Sequence, residues 1–476
     1  MHMFDYPFYA NALRFPQGIE QNILWLFIFL LLLNLINIKR LDRRDLILPI
    51  MVHGFGGILS VISSNLFIVL VSWEVLGFSA FYLLWTNHGS NGKLTAYRYL
   101  IFQVISALCF FTAIVIHFIA TSSLAVQTLV SHAQIPFLIA VMIKTASFPT
   151  HLWLTDAYPV AMLEVAPFLT GFTTKVGVLT AFRLVDPILG NIPFLGYIGG
   201  ITAVIGVFFA LQQSNARKLL SYHIISQVGY MTAALGFFGG VASLFHLITH
   251  TLYKALLFFV ALEARASFGH EDLKTMGGLA KYRPFLAVSG ILGAAAISGV
   301  PFTSGFASKY ALSQAIDYSP VYGLLMIASV GTGVSFIKFI YLIFFAPAQK
   351  PLHQQKPFFF HVPLVFLSLV TFIIGLFPQI VVGIPGSGFW NSSSIYSATR
   401  TLAISVVVWF MIRQFLIAPS HPNKQINRIM LAIQELFHNV MKSLGSGLLR
   451  LHSGGPRFQV VLLLSTFMML FWLFMG

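Results

Sequence analysis

The 476-residue chain is 57% hydrophobic and only 9% charged, yet it carries a formal net charge of +15. A mean hydropathy of +0.85 excludes a string of soluble domains and describes a polytopic membrane protein whose apolar surface faces lipid. A single cysteine, Cys109, leaves no internal disulfide, cysteine metal site or iron–sulfur ligation within the chain.

Residues 1–16 are a short polar lead-in without the basic, apolar and small-residue regions of a signal peptide, so the first span is expected to serve as an uncleaved signal. Apolar runs of spanning length predict an all-α protein with about fourteen transmembrane helices: 22–38, 46–64, 66–86, 97–120, 134–154, 161–184, 192–212, 219–239, 242–262, 284–316, 322–345, 360–380, 399–417 and 457–475. The fifth contains Pro149. The tenth is too long for one straight span and contains Gly299, Pro301 and Gly305, so both are expected to be interrupted, at Pro149 and Pro301. Segment 419–456 places Ile429, Ile433, Leu436, Val440 and Leu444 at helical spacing between Lys and Arg, which predicts a cytoplasmic amphipathic helix leading into the last span.

Nearly all loop lysines and arginines fall on one side of this arrangement, among them Lys39, Arg40, Arg43, Arg44, Arg217, Lys218, Lys274 and Lys281; only Arg14, Arg183 and Arg400 fall on the other. By the positive-inside rule both termini are non-cytoplasmic in a multi-pass protein of the cell inner (plasma) membrane. The basic balance is then a matter of topology, and nucleic acid is not expected as a partner.

Ionisable residues inside spans are the informative remainder, because each costs about 2.5–3.5 kcal/mol at a helix centre unless it faces a partner or water. They are Glu74 and the lysines Lys144, Lys175, Lys254, Lys309 and Lys338; Arg413 is near a helix end and is expected to snorkel. Nearly the same interval separates Lys144 from Lys309 and Lys175 from Lys338. This suggests two five-helix units, 46–184 and 185–345, with each lysine pair on equivalent helices. Five is odd, so the units are inverted, a layout of transporters with interrupted helices. Residues 1–45 precede them, and 346–418, 419–456 and 457–476 follow as two spans, the amphipathic segment and the last span.

In 244–259, His246, His250 and Lys254 recur every fourth residue. Each step drifts about 40° around a helix, so the three share a stripe about 12 Å long. The pair His246 and His250 has helical zinc spacing, but no acid on the stripe completes a site. No G-x-S-x-G, phosphate loop or dinucleotide fingerprint is present. No catalytic centre, cofactor or metal is therefore expected. What remains is a chain of titratable groups. A nearby carboxylate can switch a buried lysine between holding and releasing a proton: Glu74 would switch Lys144, Lys175 would pass charge on, and His246, His250 and Lys254 would carry it to Lys309.

These residues lie in SWEVLGFSAFYLL, KTASFPTHLWLTDAYP, FLTGFTTKVGVLTAFR, NARKLLSYHIISQVGYM, SLFHLITHTLYKALLFF, LKTMGGLAKYRPF and GVPFTSGFASKY. Over roughly 46–345 the set resembles the antiporter-like membrane subunits of respiratory complex I, membrane-bound hydrogenases and Mrp-type cation/proton antiporters. The resemblance implies that Glu74 and Lys144 form the ion pair of a first half-channel. It makes Lys175 the link, His246, His250 and Lys254 the second half, Lys309 the exit, and Lys338 a further lysine of the antiporter branch. DAYP followed by FTTKVGVL looks most like the D-type subunit of Mrp-type sodium/proton antiporters. The chain departs from the pattern in its early Glu74 helix, as if about two N-terminal helices were lacking, and in Glu164 within MLEV. The implied function is proton translocation within a multisubunit Na+ or K+/proton antiporter, with other membrane subunits as partners. A proton-pumping subunit of an NADH–quinone oxidoreductase or hydrogenase, and a non-conducting scaffold, stay as alternatives.

Overall fold

The computed structural model describes residues 13–40, 43–86, 92–162, 165–185, 192–317, 319–347, 361–383 and 388–417. All regular structure among them is helical, in the order α1 (Ile19–Arg40), α2 (Ile47–Ile62), α3 (Leu66–Trp85), α4 (Gly92–Thr121), α5 (Ser131–Lys144), α6 (Leu152–Val160), α7 (Ala166–Leu184), α8 (Pro193–Gln212) and α9 (Ala216–Leu235). There follow α10 (Gly240–Phe268), α11 (Leu279–Tyr282), α12 (Pro284–Ser298), α13 (Ser304–Ile316), α14 (Val321–Ile340), α15 (His361–Leu376), α16 (Gln379–Val382) and α17 (Ser392–Ile417). Eight of these helices are long and apolar enough to cross a membrane by themselves; α5, α12 and α15 are shorter. These eight fall on stretches that the hydropathy marked, and other helices occupy the rest of the first thirteen stretches. The fourteenth, 457–475, the amphipathic segment 419–456 and Glu164 lie outside the described residues.

Helix starts follow local chemistry. Asn65 accepts hydrogen bonds from the Phe67 and Ile68 amides at the start of α3, Asn215 from Lys218 at the start of α9, and Thr303 from Phe306 at the start of α13. Each satisfies amides that a helix leaves unpaired at its first turn.

The arrangement is polar at the centre and apolar outside. Across its apolar window α10 is 100% buried, and every residue of α9 but Lys218 is buried, although these helices carry His246, His250, Lys254, His223 and Gln227. The shell exposes large apolar side chains instead, such as Phe55, Leu108, Phe208, Ile327 and Phe410. This is the order expected when lipid replaces water as the outer solvent. Close approach rests on small residues: a Cβ on Gly229 of α9 would lie 2.6 Å from the Ala203 amide of α8, so α8 and α9 pack backbone to backbone.

The two interruptions are real, but neither proline makes the break. After α5, the Ala146 amide bonds Ile143 O (3.1 Å) and the Ser147 amide bonds Met142 O (2.9 Å). After α12, the Gly299 amide bonds Ala296 O (3.0 Å) and the Val300 amide bonds Ala295 O (2.9 Å). Both are Schellman closures turning on a left-handed residue, Ala146 at φ +55° and Gly299 at φ +79°. Pro149 and Pro301 sit beyond them, in the links to α6 and α13, where they prevent the helix from resuming at once.

The two broken helices carry their lysines differently about these turns. Lys144 is the last residue of α5, before its break, whereas Lys309 lies in α13, after its break. The lysines occupy opposite arms of the interrupted helices; set on Gly299, Ala146 brings Lys144 onto Ile297. The helix order still repeats. The third member of each set is the longest, α4 with 30 residues and α10 with 29, and the fourth is the broken one.

Candidate functional site

Lys144 enters the core from the end of α5 and is 1% exposed. Its ammonium donates to the Trp73 carbonyl of α3 at 3.1 Å and lies 5.0 Å from the centre of the Trp73 ring. Glu74, the next residue, is only half-buried. It lines an open groove on the outer face of α2 and α3 with Val52, Phe67, Leu70, Val75 and Phe78. No ion pair within 4.0 Å joins Glu74 to Lys144; the contact is one residue away, on the peptide oxygen. Glu74 and Lys144 are thus charged neighbours without direct contact, and the ammonium makes a cation–carbonyl and cation–π contact with the residue before Glu74.

The break that frees backbone carbonyls also satisfies them. Thr150 Oγ1 donates to Met142 O (2.9 Å), the Trp153 indole to Ile143 O (2.8 Å) and Ser106 Oγ to Ala140 O (2.8 Å).

Lys175 of α7 folds along its own helix, donating to Thr170 O at 2.7 Å and Thr174 Oγ1 at 3.2 Å. On α10 the expected stripe is present: the His246 and His250 rings are 6.1 Å apart. Lys254 turns from it to the Leu220 carbonyl of α9, at 2.6 Å. His246 bonds Ser308 Oγ of α13 through Nδ1 (2.9 Å) and Gln227 Oε1 of α9 through Nε2 (3.2 Å). Neither nitrogen of His250 has a hydrogen-bond partner among the described residues.

Lys309 also has no hydrogen-bond partner for its buried nitrogen among the described residues, which lies 5.2 Å from the centre of the Tyr230 ring. Tyr230 in turn is 6.2 Å from His246, ring to ring. The lysine lines a cavity of about 80 Å³ with Tyr310, Ser313, Tyr322, Ser329 and Ser397, large enough to hold water. The hydroxyl lining suits a hydrated vestibule.

Lys338 of α14 is buried as well. Its ammonium donates to Leu211 O and Gln213 O, both at 2.7 Å, and so caps the carbonyl end of α8.

Four central residues were missed in the sequence. His53 of α2 bonds Ser79 (2.9 Å) and packs on Phe168 and Phe172. His223 bonds Ser335 (2.7 Å), and Gln227 and Ser308 hold His246. A lone histidine in an apolar run was the available signal for the first two. Gln227 and Ser308 gave none, because their importance comes from what faces them.

A family profile described as "NADH:quinone oxidoreductase/Mrp antiporter, TM" matches residues 63–335, more than half of the chain. The chain belongs to this family. Glu74, Lys144, Lys175, the α10 stripe and Lys309 all lie within the part of this NADH:quinone oxidoreductase/Mrp antiporter domain that the profile matches, and Lys338 lies just beyond it. The chain is 30% identical over 341 residues to the D-type subunit of the Na(+)/H(+) antiporter of Alkalihalophilus pseudofirmus, covering 66% of this chain and 69% of that one. It is 32% identical over 298 residues to the NAD(P)H-quinone oxidoreductase subunit 5 of Paulinella chromatophora, covering 55% of this chain and 44% of that one. A chain in the structure of the Mrp complex from Dietzia sp. shares the fold, with TM-score 0.72, 21% identity and coverage of 89% of this chain and 51% of that one.

Proposed function

We propose that this family member translocates protons within a multisubunit Na+ or K+/proton antiporter. The path runs from Glu74 and Lys144 through Lys175 to His246, His250 and Lys254, and leaves by Lys309. One observation carries the reading: among the described residues none of the lysines of this path is held in an ion pair, although Lys144, Lys175 and Lys254 are buried. A fixed charge without a counter-ion is costly in such surroundings, so these groups exchange protons rather than serve as static ties. Units 46–184 and 185–345 act as the two halves of the path. Other integral membrane subunits complete the complex, and both termini face away from the cytoplasm of an inner (plasma) membrane.

Everted vesicles test the path. Lys144→Ala or Glu74→Ala abolishes cation-dependent proton exchange while the complex still assembles; unchanged exchange in either variant overturns the mechanism. The relative named as an NAD(P)H-quinone oxidoreductase subunit favours a second reading, a proton-pumping subunit of a redox complex. Gentle detergent purification of the tagged chain separates the two. Small apolar partners support the antiporter, and co-purifying flavin or iron–sulfur subunits support the redox pump.

A further inference from the structure

His246, Ser308, Thr249 and Gln227 are each 0% exposed, so every hydrogen bond among them must be made by the group itself. Gln227 presents its carbonyl oxygen to His246 Nε2 at 3.2 Å. With the amide oxygen turned to the ring, the arrangement assigns the neutral imidazole its hydrogen on Nε2 and a lone pair at Nδ1, which is part of the proposal below. Ser308 Oγ lies 2.9 Å from that lone pair and receives the Thr249 hydroxyl at 2.7 Å. Ser308 Oγ is also 3.1 Å from the Ser304 carbonyl, in the first turn of α13.

A serine hydroxyl has one hydrogen. When His246 is neutral, that hydrogen goes to Nδ1. When His246 is protonated, Nδ1–H becomes the donor, Ser308 Oγ accepts, and the serine hydrogen turns to Ser304 O. We propose that Ser308 is a positioning residue for proton movement: its hydroxyl fixes the tautomer of His246 and passes the charge state of the ring to the arm that carries Lys309, its neighbour in sequence. This rests on His246 belonging to the proton path.

The titratable groups facing the imidazole are Lys309 from α13, Lys175 from α7, Tyr230 from α9, and His250 and Tyr253 on α10 itself. Helix α12 and residues 363–376 of α15 contain no titratable side chain, and α1 carries its own only at its ends. Ser308 is therefore the neutral contact through which the ring meets the broken helix.

The test uses the assembled complex with Ser308→Ala and Ser308→Thr. In everted vesicles Ser308→Ala is expected to lower proton exchange about tenfold and to displace its pH profile by about one unit, the size of one lost hydrogen bond to a charged ring. Ser308→Thr, which keeps the hydroxyl, restores both. Independently, 15N NMR of histidine-labelled complex reads the ring, with His246 assigned by its loss in His246→Gln. Wild type shows the Nε2–H tautomer with a hydrogen-bonded Nδ1, and Ser308→Ala loses that pattern. An unchanged His246 signal in Ser308→Ala, or alanine and threonine variants impaired alike, overturns the proposal. If wild-type vesicles carry no proton flux, the functional reading fails, and the NMR comparison still decides the role of Ser308.

Discussion

Lys338 and Lys309 look alike in the sequence, each a lysine in an apolar run, and their surroundings differ. Lys338 spends its ammonium on two carbonyls at the end of α8, so Lys338→Met is expected to cost about 2–3 kcal/mol of stability. Transport per assembled complex is retained. A thermal melt beside vesicle rates checks this, and full stability with lost transport would return Lys338 to the path. Lys309 faces an open vestibule with no partner among the described residues, so its proton is free to leave. Replacing it with histidine substitutes a group of ordinary pKa about 6.5 for one of about 10.4. A site that must gain and lose a proton then works at lower pH, and Lys309→His should move the activity profile toward acid. A profile that stays in place shows that Lys309 does not titrate during turnover. The sequence exposed both lysines because charge in hydrocarbon is conspicuous. It could not separate them, since the carbonyls that bind Lys338 come from residues more than a hundred positions away.

At the level of helices, the periodicity of α10 was readable because the stripe is a local property of one helix. The interrupted helices were readable only in part. Pro149 and Pro301 announced that two helices fail, and Gly299 is the residue a helix end favours. Ala146, which takes the same left-handed turn, carries no such mark, so the break after Lys144 was placed too late. Gly305 gives the element-scale prediction. A Cβ there would collide with the Ala296 carbonyl of α12, a backbone atom held by the Schellman closure. Gly305→Ala is therefore expected to destabilise the α12–α13 joint by about 1–3 kcal/mol or more, and to reduce transport although no titratable group is touched. Wild-type stability and flux in that variant would show that the two arms can part without loss.

At the level of the molecule, hydropathy finds the lipid-facing shell and α10 more readily than the other central helices. Helices α7 and α9 fall outside the set apolar enough to span alone, because they carry the polar groups that the shell protects. Topology is the matching test. In a Cys109→Ser background, single cysteines in the loops after α3, α10 and α14 are expected to react with impermeant thiol reagents only from the cytoplasmic side, and a cysteine in the loop after α7 only from outside. Labelling in the reverse sense overturns the orientation drawn from the basic loops.

The closed hydrogen bonds around residues 145–150 bear on mechanics. A joint whose carbonyls are already held by Thr150, Trp153 and neighbouring amides is a weld, not a hinge. Swinging one arm breaks several bonds together, whereas rotating a hydroxyl or turning a lysine head breaks one. Such a frame leaves side chains freer to move than the joints, and the backbone amides at both joints should exchange with deuterium as slowly as those of intact helices.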